Sequence, residues 1–183
     1  MASRVLTVPN QLTFLRLAFL PFFIIFLHYD RYGWAFGLLL LAGLTDALDG
    51  MLARRLNQKT TLGAFLDPIA DKLLLSSSLF MLALKNRIDW WLAILVLSRD
   101  VIILATAAVI LLVVGYRPFP PTFYGKATTT TQMLLVVLVV IGGIVDSPLL
   151  ESIRLVVTFV VAAFTVFSGL HYSILIARRL SSS

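Results

Sequence analysis

Four aspartates, three small residues and an arginine stand at fixed intervals in one stretch of the chain, Asp46-x2-Asp49-Gly50-x2-Ala53-Arg54-x8-Gly63-x3-Asp67-x3-Asp71. The 183-residue sequence has only nine acidic residues, so four of them within 26 positions call for a chemical reason. Oxygen donors with no His or Cys nearby suit a hard divalent ion, Mg²⁺ or Mn²⁺, rather than zinc. Two such ions sharing carboxylates support in-line displacement at phosphorus. A lone Asp would be read as a helix cap or as the partner of Arg54, Arg55 or Lys72. The whole constellation is not explained that way.

The elements that must position these residues follow from composition. With 60% apolar residues, 13% charged residues and a mean hydropathy of +0.97, the chain is far from a soluble domain and close to a polytopic membrane protein. Apolar runs between charged or Pro/Gly-bearing breaks predict six transmembrane helices near 12–29, 34–56, 65–84, 90–114, 127–145 and 153–177. The fold class expected is an all-α bundle forming a single domain over 1–183. The first run contains Arg16 and no small-residue cleavage pattern, so it reads as a permanent span. Cysteine is absent, which excludes disulfides and thiolate metal sites.

Arg4, Arg54, Arg55, Lys59, Arg117, Lys126, Arg178 and Arg179 collect on one side, against Arg31, Lys85, Arg87 and Arg154 on the other. The positive-inside bias puts the richer side, both termini and the Asp-rich segment in the cytoplasm. A net charge of +6 favours anionic lipid head groups as partners. Nucleic acid is excluded as a partner because the basic residues are divided among short loops.

On the second span Asp46, Asp49, Gly50, Ala53 and Arg54 fall at i, i+3, i+4, i+7 and i+8, one helix face. On the third, Gly63, Asp67 and Asp71 fall at i, i+4 and i+8. The short connection predicts antiparallel neighbours whose carboxylates meet, with small residues admitting a bulky polar ligand. A carboxylate at mid-span costs roughly 2.5–3.5 kcal/mol, so four together need compensating cations.

These eight positions match the signature of the CDP-alcohol phosphatidyltransferase family, membrane enzymes that make phospholipids from CDP-diacylglycerol, and the chain resembles that family throughout. Pro9-Asn10-x-Leu12-Thr13 with Arg16 resembles its opening, Ser98-Arg99-Asp100 its fourth-span element, and Gly125-Lys126 with Thr129 and Gln132 its fifth-span entry. The resemblance implies two divalent cations, one on Asp46, Asp49 and Asp67 and the other on Asp46, Asp67 and Asp71, with Asp71 as general base. It implies that Gly50, Ala53, Arg54, Thr60 and Gly63, with Asn10 and Thr13, hold CDP-diacylglycerol. It further implies a homodimer in a bacterial inner membrane.

Arg99, Arg117 and Lys126 are the cations expected near an acceptor, which favours one bearing phosphate. Glycerol 3-phosphate leads, as in phosphatidylglycerophosphate synthases. The Ala42-Gly43-Leu44-Thr45 and Ser98-Arg99-Asp100-Val101 runs look more like cardiolipin synthases, whose acceptor is phosphatidylglycerol. Inositol phosphate and serine are further alternatives.

Other residues have plainer readings. His28 and His171 are isolated near span ends and suit interfacial or hydrogen-bonding roles. Tyr29, Tyr32, Trp90 and Trp91 read as interface anchors. The Thr128 to Thr131 run is expected to bond its own helix or a neighbour, and Asp100 to pair with Lys72. A cation transporter or channel is the alternative from a different class. It does not need Gly50, Ala53, Arg54 and Gly63, and it predicts acids spread across the membrane depth rather than gathered at one end.

Overall fold

The computed structural model describes residues 8–55, 61–114 and 123–180, with the side chains at 8–10, 47, 49–50, 52–55, 61–68, 107–114, 123 and 173–180 outside the description. Six helices make up this part of the chain: α1 (Val8–His28), α2 (Tyr32–Arg55), α3 (Thr61–Leu84), α4 (Trp90–Val114), α5 (Phe123–Gly142) and α6 (Pro148–Leu180). The all-helical expectation is met among the described residues. Three stretches, Gln11–His28, Tyr124–Gly142 and Pro148–Tyr172, are long and apolar enough to cross a membrane among the described residues.

Buried stripes explain how the helices dock. On α1 Thr13, Arg16, Leu20, Phe23 and Leu27 recur at alternating steps of three and four, and all are buried except the partly buried Leu20. On α2 the stripe is Tyr32, Ala35, Leu39, Ala42 and Thr45, and on α5 it is Thr128, Gln132, Leu135 and Val139. The opposite faces stay apolar yet exposed, with Leu40, Leu41, Leu44 and Leu48 on α2 and Leu155, Val156, Phe159 and Phe167 on α6. Such faces are costly in water and suit hydrocarbon.

Helix α1 packs against both α2 and α3, α5 against α2, α3 and α6, and α4 against α3 and α6. Among the described residues α1 packs against both α2 and α3; the side chains at 47, 49–50, 52–55 and 61–68, where the expected pairing of α2 with α3 falls, lie outside the description.

The turns α1–α2 and α3–α4 close in the same way. Arg31 N–H donates to the Phe26 carbonyl at 2.8 Å and Asp30 N–H to Leu27 at 3.2 Å, while Arg87 N–H donates to Leu82 at 2.9 Å and Asn86 N–H to Ala83 at 3.0 Å. This is the Schellman pattern, with Asp30 (φ 57°) and Asn86 (φ 53°) at the left-handed position that their short polar side chains tolerate. Lys85 Nζ then links the turns, donating to Asp30 Oδ2 at 2.7 Å and to the His28 carbonyl at 2.8 Å. That hydrogen bond, with a smaller contribution from Tyr32, holds the exposed Asp30 carboxyl below its ordinary value.

Tyr32, expected as an interface anchor, stands at the start of α2. It is buried, Arg87 lies over its ring at 5.1 Å from the centroid, and Arg87 Nε donates to its hydroxyl at 3.1 Å. Gly143 makes this possible, because a Cβ there would stand 2.4 Å from the ring.

Candidate active site

Arg16 is the residue on which the acidic helices converge. Its guanidinium is buried, Nη2 lies 2.7 Å from Asp46 Oδ1 on α2, and Nη1 donates to Asp71 Oδ1 on α3. The side chains of Asp46 and Asp71 remain 52% and 43% exposed, so the cation is enclosed while both carboxylates are open on one side. A buried Arg requires such partners, since an unpaired charge there is strongly unfavourable.

The open side is a cavity of about 270 Å³. Arg16, Asp46 and Asp71 form its polar end, Ala42, Gly43, Leu74, Leu75 and Met133 its apolar wall, and Thr129 and Thr130 add hydroxyls from α5. A Cβ at Gly43 would meet no atom within 4 Å, so this glycine keeps the wall open without being required by its own packing. Thr129 Oγ1 also donates to the Gly125 carbonyl at 3.1 Å, and Thr128 Oγ1 to Tyr124 at 2.7 Å, so the Thr run bonds its own helix as expected.

The structure therefore unites Asp46 and Asp71, separated by 25 positions in sequence, and places Thr13 buried on the same stripe as Arg16. Thr60 and Arg117 lie outside the described residues, as do the side chains of Asn10, Asp49, Ala53, Arg54 and Asp67 and the surroundings of Gly50 and Gly63. Among the described residues no three His, Cys, Asp or Glu side chains lie together. The donors present nevertheless fit a hard cation: two carboxylates from separate helices already share one positive group and face a common space.

Two of the cations expected near an acceptor, Arg99 and Lys126, fall within the described residues. Lys126 is exposed, and neither it nor Arg99 lines the cavity. Arg99 Nη1 lies 2.7 Å from Asp100 Oδ1, its Nη2 donates to Ser168 Oγ on α6, and Lys72 Nζ reaches Asp100 Oδ1 at 2.8 Å. The expected Lys72–Asp100 pair is present, and Arg99 is part of it.

Beyond the motif, the structure adds Arg16 and Thr130 to the cavity and, outside it, Ser168 as a partner of Arg99. Arg16 had a readable signal, since it falls in the three-four stripe with Thr13, Leu20, Phe23 and Leu27 and so had to face inward. Ser168 had none, because its partner Arg99 is 69 residues away.

The protein-family model for CDP-alcohol phosphatidyltransferase matches residues 6–170. The chain is 40% identical over 131 residues to "Cardiolipin synthase (CMP-forming)" of Streptomyces coelicolor, covering 68% of this chain and 60% of that protein. It spans the same 60% of mycobacterial relatives with a cardiolipin synthase name. It is 33% identical over 189 residues to "Probable phosphatidylglycerophosphate synthase" of Mycobacterium tuberculosis, covering 97% of this chain and 84% of that one. With "CDP-diacylglycerol--glycerol-3-phosphate 3-phosphatidyltransferase" of Pseudomonas fluorescens it shares 39% identity over 107 residues, 55% of this chain and 54% of the other. The acid-lined cavity and these matches agree: the chain belongs to the CDP-alcohol phosphatidyltransferase family.

Proposed function

We propose that this protein transfers a phosphatidyl group from CDP-diacylglycerol to an acceptor hydroxyl, releasing CMP, in phospholipid biosynthesis. The observation that carries the reading is the convergence of Asp46 and Asp71 from two helices on one cavity. Asp46, Asp49 and Asp67 would hold one divalent cation, and Asp46, Asp67 and Asp71 a second, Mg²⁺ or Mn²⁺. Bound there, such ions supply neutralisation of the pyrophosphate and of departing CMP. Gly50, Ala53, Arg54, Thr60 and Gly63 admit and hold the nucleotide part of the donor, helped by Asn10 and Thr13.

Asp71 takes the acceptor hydroxyl proton as that oxygen forms its bond to the phosphatidyl phosphorus. The bond from that phosphorus to the bridging oxygen breaks, and CMP leaves with the electron pair. The acyl chains stay in the bilayer. In this reading residues 1–183 act as one domain with six spans in a bacterial inner membrane, the site and both termini face the cytoplasm, and the protein works as a homodimer.

Glycerol 3-phosphate is the leading acceptor, supported by the relative matched over 97% of this chain. A specific observation favours phosphatidylglycerol as second: the cavity offers Thr129 and Thr130 hydroxyls and no cation beyond Arg16 among the described residues, which suits a neutral glycerol head. The test combines purified protein, Mg²⁺ or Mn²⁺, CDP-diacylglycerol and each acceptor separately, following CMP and lipid product. CMP release with one acceptor supports transfer and identifies the substrate. No CMP with any acceptor, together with metal flux in liposomes, would establish the transporter reading instead.

A further inference from the structure

We propose that Arg16 is a built-in competitor for the divalent cations, setting how tightly they bind and keeping Asp46 and Asp71 together before they arrive. This rests on the reading that the carboxylates bind such ions. The guanidinium contacts one oxygen of each carboxylate, so it draws on the same negative charge that attracts a metal. It is not a side chain that can swing into water. Its own exposure is 2%, and it stands in the buried α1 stripe between Thr13 and Leu20.

Arg does not deprotonate in proteins, so its charge stays beside the site whatever else binds. Two opposite effects follow from the one contact. Without a metal, Arg16 offsets repulsion between two carboxylates held close together; with a metal, the same positive charge opposes binding.

The test uses full-length protein in nanodiscs, with Mn²⁺ as the probe and free Mn²⁺ read by electron paramagnetic resonance. Wild type should bind Mn²⁺ saturably, and Asp46→Asn should weaken that binding. Arg16→Gln should bind about tenfold or more tightly, in line with the effect of one neighbouring charge. It should also melt lower than wild type in chelator and gain more from added Mn²⁺.

Arg16→Lys keeps the charge but replaces the fork with one ammonium, so its affinity should fall between the two, and it serves if Arg16→Gln does not fold. Unchanged or weaker Mn²⁺ binding in either folded Arg16 variant, with the Asp46 dependence intact, overturns the competition alone. Absence of saturable, Asp46-dependent binding in wild type overturns the metal reading and this proposal together.

Discussion

Two charged clusters in this bundle are inverses of each other. Among the described residues, Arg16 serves two carboxylates, Asp46 of α2 and Asp71 of α3. Around Asp100 one carboxylate serves two cations, Lys72 of α3 and Arg99 of α4. Adjacent residues of α3 belong to different clusters, because consecutive helical positions point about 100° apart. Exposure separates them further. Asp46 and Asp71 are about half exposed on a cavity, while Asp100 and Arg99 have side chains only 8% and 10% exposed. Half-exposed carboxylates on a cavity are open to a ligand, the arrangement the proposed transfer needs, whereas an enclosed cluster tied to α6 through Ser168 joins helices.

The contrast breaks most visibly at Asp71. Asp71→Asn should lower phosphatidyl transfer by about 10²- to 10⁴-fold, the usual contribution of a general base, with folding retained. CMP release measured beside a melting curve checks both halves. Full transfer activity in that variant removes Asp71 as base. At Asp100 the loss should fall on stability: Asp100→Asn leaves two cations close together and should cost about 2–4 kcal/mol, reduced from the fully buried case by the partial exposure of Lys72. Its melting temperature should drop, and CMP release per folded molecule at low temperature should change far less than in Asp71→Asn.

Ser168→Ala sharpens the comparison with a smaller step. Removing the oxygen that accepts from Arg99 should cost about 1–2 kcal/mol in thermal unfolding, with no change in metal dependence. The smallest effect belongs to the exposed Lys85–Asp30 pair, which neither surrounds a cation site nor buries a charge. Asp30 is depressed below its ordinary value of 3.8, so its contribution is fully present above that value and is lost as pH falls through the lower folded value. Wild type and Asp30→Asn should differ slightly in melting temperature at neutral pH and converge in acid.

Of the acid-rich motif, the structure describes Asp46 and Asp71, and their convergence is legible because the signal is local. Asp46 and the Gly50 face repeat at helical spacing, and the same is true of Gly63, Asp67 and Asp71, so periodicity alone placed each set on one face. What lies between those faces is a long-range fact. Asp71 meets Arg16 across 55 residues, and α1 packs against both α2 and α3, neither of which loop length reveals. The amphipathic side chain of Tyr32 suggests an interfacial place but says nothing of what packs on it. Its burial depends on a glycine more than a hundred residues later, at Gly143. Arg99 and Lys126 were grouped by charge sign, a property that does not distinguish a free cation from one already tied to Asp100.

The most direct test is CMP release from CDP-diacylglycerol by wild-type and Asp46→Asn protein as Mg²⁺ or Mn²⁺ is titrated, with the preferred acceptor present. Wild type should show a saturable cation dependence that chelator abolishes, and Asp46→Asn should need far more cation and turn over far less. Equal release by the two proteins, or release by wild type that persists in chelator, would contradict a site built from these shared carboxylates.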